Sequence, residues 1–197
     1  YHIPYIFLKG RGILMLDLNI KIGGAAGQGM QTIGFLLGKV FVRGGYYVFA
    51  IQDNMSRIRG GHNFFQLRIK DEPVMAMKDG VHFLVALDRE TIDTHAKELV
   101  PHGVVIYDGK MLKFTSNRAN FLDIPLEKLA MEKGGHKIYS NSVALGCILG
   151  LLEFENELLN ELIQETFTKG KDVVEGNINA ARAGYQFAKQ NFGQRWT

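Results

Sequence analysis

Two segments of this 197-residue chain carry residue types whose spacing suits the capture of an anion. The first is Gly23-Gly24-Ala25-Ala26-Gly27-Gln28-Gly29. Glycines let a backbone come close to a ligand, and the free N–H groups that open a following helix point at it. Gly24, Gly27, Gln28 and Gly29 are the candidate cradle. Their G-G-x-x-G-x-G spacing is neither the dinucleotide G-x-G-x-x-G nor a P-loop, which needs a Lys-Ser/Thr pair that is absent. The same glycines also suit a purely structural turn. The second segment is Asp53 to Asn63, with the run Ser-Arg-Ile-Arg-Gly-Gly-His-Asn at its heart. Arg57 and Arg59 can fork onto phosphates or carboxylates. Gly60 and Gly61 allow backbone geometries closed to other residues. Ser56, Arg57, Arg59, Gly60 and Gly61 are therefore candidate ligand residues, with Lys39 as a further source of charge. Surface salt bridging is the plainer use of the arginines. His62 has no acid–base partner visible in the sequence, so its expected job is a hydrogen bond that shapes the loop. No residue is assigned a catalytic role.

These loops need elements to hold them. Leu18–Ile22 reads as a first strand ended by Gly23, and Met30, Ile33, Gly34, Leu37, Val40 and Phe41 recur at helical spacing over Gly27 to Arg43. Gly44-Gly45 stops that helix, and Tyr46–Gln52 is the next strand, completing a βαβ unit. The arginine loop follows at that strand's C-terminal end, the edge where open α/β sheets bind ligands. His62–Lys70 reads as a strand with Phe65, Leu67 and Ile69 on one face, and Val74–Met77 as a short strand pairing back. Val81–Leu87 and Gly103–Tyr107 are apolar without alternation, as in strands buried on both faces. Strands at 18–22, 46–52, 81–87 and 103–107 are thus expected in the middle of the sheet. A helix is expected over 88–99, with the least regular stretch at 108–123 and a further helix over Leu126–Glu132.

Two or three helices finish the chain. In Asn141–Glu153, Ser142, Gly146 and Gly150 form a smooth stripe that lets a neighbour approach closely. Leu158, Leu159, Leu162 and Ile163 face inward on Glu155–Phe167. Val174, Ile178, Ala181, Tyr185 and Ala188 mark one face of Asp172–Asn191. The alternation of strands and helices predicts an α/β protein: a three-layer α/β/α sandwich with a Rossmann-like, mostly parallel sheet. With no linker or repeat in view, residues 17–197 read as a single domain behind an N-terminal extension, 1–16.

Composition narrows the function. Hydrophobic residues are 46% and charged residues 22%, ordinary for a globular protein. No apolar run reaches the roughly 18 residues of a membrane helix. The first residues lack a signal peptide's cleavage pattern, so a cytoplasmic location is expected. Residues 1–70 hold nine Lys or Arg against two acids, and the rest 14 against 18, giving +7 and −4. That asymmetry favours an anionic partner: phosphate, nucleic acid or an acidic protein face. The lone cysteine, Cys147, permits neither an intrachain disulfide nor an iron–sulfur cluster, which takes about four thiolates. It reads as a packed hydrophobe. The histidines at 82, 95, 102 and 136 lack ligand spacing, so no metal site is expected.

Taken together, GGAAGQGMQTIG and RGGYYVFAIQDNMSRIRGGHNFFQLRI resemble the gamma domain of 2-oxoacid:ferredoxin oxidoreductases. NSVALGCIL (Asn141–Leu149) and NINAARAGYQFA (Asn177–Ala188) are similar to that family's C-terminal helices, so the resemblance runs from about Asp17 to Lys189. It is strongest to the form fused ahead of the alpha domain in 2-oxoglutarate-type enzymes, or to its separate-subunit counterpart. The resemblance implies a subunit inactive alone, working with alpha and beta subunits and, through the complex, with ferredoxin. Thiamine diphosphate and iron–sulfur clusters would sit on partner subunits, and the gamma part would help hold coenzyme A and the assembly. Asp108-Gly109 lacks the preceding glycine of the usual thiamine motif, which agrees with that allocation. Membrane and nucleic-acid partners are not expected. Two other readings compete. One is a stand-alone dinucleotide-binding Rossmann-like protein, motivated by the βαβ unit and by Asp53, placed where an acid binds ribose. The other is a nucleic-acid-binding module, motivated by the basic first half and the Arg-Gly-Gly run.

Overall fold

The computed structural model describes residues 16–54, 62–154, 156–168 and 170–192. The arginine-loop candidates Ser56, Arg57, Arg59, Gly60 and Gly61 lie outside the described residues. The chain divides into two compact units, the first ending at Pro125 and the second beginning at Leu126.

The first unit is built on a six-stranded sheet: β1 (Asp17–Gly24), β2 (Tyr47–Asn54), β3 (Asn63–Lys70), β4 (Val81–Ala86), β5 (Leu99–Tyr107) and β6 (Phe121–Asp123). Their spatial order is β2-β3-β1-β4-β5-β6. β3 runs antiparallel to both β1 and β2, while β1, β4, β5 and β6 pair in parallel. All strands but β3 therefore point one way, and the expected mostly parallel α/β sheet is present.

Alternation along β1 separates two faces. Leu18, Ile20 and Ile22 pair with Ile69, Leu67 and Phe65 of β3, and all six are buried. Burial of each such side chain favours the fold by about 1.5–3 kcal/mol. Helix α1 (Met30–Arg43) lies on this face; a Cβ at Gly34 would come within 2.3 Å of the Phe65 ring. Helix α2 (Arg89–His95) covers the opposite face, where a Cβ at Gly23 would meet the Thr91 side chain at 2.6 Å. Asp88 caps α2, its carboxylate accepting from the Thr91 N–H at 2.8 Å. α2 gives way to a 3₁₀ turn at Ala96–Glu98 rather than continuing to 99.

Several expectations need correction. β2 is an edge strand, not a central one, because β3 occupies the place beside β1. Tyr47 and Ile51 are accordingly exposed. No strand forms at 74–77. The irregular stretch at 108–123 holds the short helix α3 (Gly109–Leu112) and the closing strand β6. Asp108 caps α3 through the Met111 N–H, and Asp123 accepts from the Gly109 N–H at 2.7 Å.

At the start of β1, Arg68 grips Asp17 with two parallel bonds of 2.8 and 2.9 Å. The Arg68 hydrogen bond dominates over desolvation and, with Lys78, holds the Asp17 carboxyl at about 2, down from 3.8. A depressed carboxylate stabilises the fold above its unfolded value and ceases to do so as pH falls through its folded value. The stability gap between the wild type and Asp17→Asn should therefore be full at pH 5 and shrink by pH 2. Urea unfolding at both pH values measures it, and a constant gap would refute the assignment.

The second unit comprises α4 (Leu126–Leu129), a π turn at Ala130–Gly134, α5 (Ser140–Leu151), α6 (Glu157–Thr166) and α7 (Lys171–Phe192). α5 is buried from Ser142 through Leu151. Its small-residue stripe is filled by α7 of the same chain: Gly146 and Gly150 abut the backbone of Ala181 and Tyr185, and Gly184 abuts that of Val143. Ser142 Oγ donates to Asn177 Oδ1 at 2.6 Å, and Cys147 Sγ to the Gly184 carbonyl at 3.3 Å. The face of α7 that is buried carries Asn177, Ala180, Ala181, Gly184 and Ala188, while Val174, Ile178 and Tyr185 are only half-buried. Close approach to α5 selects the small side chains. On α6, Leu159, Leu162 and Ile163 are buried as expected, and Leu158 is half-buried.

Candidate functional site

The strand register brings the strand ends that flank residues 55–61 to the same sheet edge as the glycine turn. Gly24, at the C-terminal end of β1, pairs with Asn63, which pairs with Asn54 at the end of β2. The chain thus leaves and re-enters the sheet, on either side of residues 55–61, beside the glycine turn.

The turn itself is shaped by its glycines. Gly27 and Gly29 have φ of 88° and 80°, a region that favours glycine. Gly24 leaves room for Gln28, whose Oε1 would lie 2.6 Å from a Cβ there. That Oε1 accepts from the Ala25 N–H at 2.7 Å, and Gln28 Nε2 donates to the Leu87 carbonyl at 3.1 Å. Gln28 therefore ties the turn to the end of β4 instead of reaching outward. Gly29 opens α1 with no side-chain cap and no acid in the first turn. The first N–H groups of a helix have no intrahelical partner, and the positive end of the dipole favours an anion there. Lys39 is too far along α1 to help: nine residues on from Met30, it stands about 14 Å up the axis.

Below the turn lies a chain of polar side chains that spacing alone did not reveal. His62, 8% exposed, sets its Nε2 2.9 Å from His95 Nε2. His95 Nδ1 stands 2.7 Å from Glu98 Oε1, and Glu98 Oε2 pairs with Lys21 Nζ at 2.5 Å. Lys21 is buried with its ammonium 4.4 Å above the Phe64 ring, a cation–π contact. Burial pushes the His95 pKa down, against the pull of Glu98, so the ring favours its neutral form. The expectation that His62 lacks an acid–base partner is thus corrected. Period-2 alternation of β1 places Lys21 on the face that α2 covers, and that was the one available hint.

Ion pairs offset only a small part of the basic excess of residues 1–70. Lys21 pairs with Glu98, Arg68 with Asp17 and Lys70 with Glu72. The dinucleotide reading loses support. In that fold the strand bearing the ribose acid lies beside β1, whereas Asp53 is separated from β1 by β3, an offset of about 9–10 Å at ordinary strand spacing. Among the described residues no group of three or more His, Cys, Asp or Glu could hold a metal ion, and no helix is long and apolar enough to cross a membrane.

Comparison with known proteins places this geometry. The 2-oxoacid:ferredoxin oxidoreductase 2 subunit alpha of Aeropyrum pernix is 25% identical, over 91% of this chain and 35% of its own length. The chain spans about a third of the length of the first curated relatives it matches. The 2-oxoglutarate synthase subunit KorC of Archaeoglobus fulgidus is 23% identical, over 88% of this chain and 89% of its own. The gamma subunit of a keto/oxoacid ferredoxin oxidoreductase from Geobacter sulfurreducens has the same fold, with a TM-score of 0.76 at 24% identity, over 88% of this chain and 97% of that one. The family model described as pyruvate ferredoxin/flavodoxin oxidoreductase matches residues 19–187, and the chain belongs to that family.

Proposed function

We propose that this chain is the gamma part of a 2-oxoacid:ferredoxin oxidoreductase and that its glycine turn receives the phosphate end of coenzyme A. The observation that carries the reading is the uncapped α1 N-terminus behind two left-handed glycines. A structural neighbour, the 2-oxoglutarate:ferredoxin oxidoreductase of Magnetococcus marinus, has coenzyme A bound. Gly24, Gly27 and Gly29 would present backbone N–H groups, and Gln28 would hold the turn in shape. Arg57 and Arg59, with Ser56, Gly60 and Gly61, would add charge and hydrogen bonds from the neighbouring loop. Each charge-assisted hydrogen bond contributes about 1.5–3 kcal/mol. Thiamine diphosphate and iron–sulfur clusters, on alpha and beta partner subunits, would supply decarboxylation and electron transfer to ferredoxin. Cys147 has no part in that chemistry: it is buried, and desolvation pushes its thiol pKa far up. The oxoacid is of the pyruvate or 2-oxoglutarate class, and the setting is the cytoplasm.

The test is steady-state kinetics of the reconstituted complex, with assembly checked by gel filtration. A side chain at Gly27 meets nothing within 4 Å, so Gly27→Val strains only the turn. Both Gly27→Val and the double variant Arg57→Met/Arg59→Met should raise the KM for coenzyme A by about tenfold or more, a loss of about 1.4 kcal/mol. The KM for the oxoacid should hold. An intact complex with an unaltered coenzyme A constant would overturn the proposal. A complex that falls apart would assign the arginines to bracing subunits.

A further inference from the structure

β2 ends the sheet, and its outer edge pairs with no other strand among the described residues. Open edges of this kind are commonly blunted by Lys or Pro in the strand, by a bulge, or by shortness. β2 has none of these. It runs for eight residues as YVFAIQDN and matches β3 residue for residue, from Tyr47–Lys70 to Asn54–Asn63. Apolar surface is concentrated here as well. Of the seven large apolar side chains exposed among the described residues, Phe35 and Val42 are on α1, and Tyr47 and Ile51 are on β2. α1 lies over one face of β2, where a Cβ at Gly38 would stand 3.8 Å from Val48 Cγ1. Side chains alternate along a strand, so Tyr47, the half-buried Phe49 and Ile51 form a stripe on the other face.

We propose that the β2 edge is a self-association surface: two copies of this chain join β2 to β2, antiparallel, about a two-fold axis at Phe49, so that the sheet runs on from one copy into the next. The strand's own pattern selects a second copy as the occupant. A two-fold interface presents the same patch from both sides. At Phe49 it sets Phe49 against Phe49, and Tyr47 of each copy against Ile51 of the other, so the apolar stripe meets itself. Aromatic and β-branched cross-strand pairs of this type favour a sheet. Charge agrees. Asp53 is the one charged residue of β2. The antiparallel register sets it opposite Gly45 of the other copy, two residues past Arg43, the exposed basic end of α1. The two Asp53 residues then lie about 26 Å apart along the joint. A parallel joint would set them side by side, and like charges directly opposite are destabilising. The antiparallel joint also brings both copies of α1, with Phe35 and Val42, to one face of the joined sheet. Stable complexes bury about 1,200–2,000 Å² in all. A joint of one strand and one helix per copy belongs at the low end, so the dimer is reversible and fills at raised concentration. The inference does not depend on the glycine turn binding an anion.

The test is sedimentation equilibrium of the full chain over a concentration series that reaches the high micromolar range. The wild type should pass from monomer to dimer. Ile51→Lys and Tyr47→Lys each put a cation into the joint from an exposed position. Each should weaken dimerisation by about tenfold or more, about 1.4 kcal/mol, with circular dichroism unchanged. Met131→Lys adds the same charge at an exposed site of the second unit and should dimerise like the wild type. Oxidation reads the register, since the native Cys147 is buried. Phe49→Cys should form an intermolecular disulfide, whereas Tyr47→Cys, set opposite Ile51, should not. A wild type that stays monomeric throughout overturns the proposal, as does a dimer that both lysine variants leave intact. A monomeric chain whose lysine variants lose alpha- or beta-subunit binding would assign the edge to another subunit and overturn it equally. Equal cross-linking of the two cysteine variants would refute pairing about Phe49.

Discussion

Alanine in place of Gly146 should strip the second unit of its packing. The new Cβ would lie 1.8 Å from the Ala181 carbonyl oxygen and 2.7 Å from its carbon. Overpacking normally costs about 1–3 kcal/mol because side chains can shift. Here the obstacle is the backbone of α7, so the helices themselves must separate, and about 3 kcal/mol or more is the expected loss. Gly184→Ala should behave alike from the other side, its Cβ falling 2.1 Å from the Val143 carbonyl oxygen. Gly135→Ala provides the contrast. That residue has φ of 87° and nothing within 4 Å of a Cβ, so only left-handed strain of about 1–2 kcal/mol applies. Chemical unfolding followed by circular dichroism ranks the three. Gly146→Ala as stable as Gly135→Ala would show that the helices do not meet as described.

Glu98→Ala should also be costly, for a different reason. It removes the carboxylate that neutralises Lys21, whose side chain is 6% exposed. Breaking a buried ion pair from one side typically costs about 3–5 kcal/mol, because the remaining charge is stranded. Glu98 itself is 34% exposed, so the lower end of that range applies. His95 loses its acceptor in the same step. Replacing both partners, Lys21→Met with Glu98→Gln, should recover most of the loss, since no charge is then left behind. Unfolding free energies of the single and double variants decide it: a double variant no better than Glu98→Ala would mean that the pair itself, not the stranded ammonium, carries the stability.

The legible parts of the fold were those with strong local periodicity. α1 announces itself through Met30, Ile33, Leu37 and Phe41, and Gly44 with Gly45 ends it where expected. β4 and the inner part of β5 read directly as buried strands. β2 misled because Val48, Phe49 and Ile51 look like a core strand, yet their neighbour is decided by β3 folding back between β2 and β1. Strand order is a long-range property that no window of residues contains. β6 is three residues long, too short to show a period. At the candidate site, Gly27 and Gly29 were visible because glycine has a distinct backbone signature. The His62–His95–Glu98–Lys21 chain was not, because its members lie 33 or more residues apart except for His95 and Glu98. On α7 the larger apolar residues drew attention, whereas burial fell to Ala181, Gly184 and Ala188. A helix packed at close range hides its inner face in small residues that carry little hydropathic signal.

The seating of α5 against α7 has a consequence for how the protein is made. α5 is apolar on every side from Val143 to Leu151, and the surface that covers its stripe is not synthesised until Ala181 to Ala188. At ribosomal rates of about 5–20 residues per second, that gap lasts roughly 1.5–7 seconds. During it the nascent chain displays a sticky helix with no mate, while every strand of the sheet has already been translated. The interval around α5 is therefore when this chain most needs a chaperone, and slow codons between Leu152 and Asn177 would lengthen its exposure.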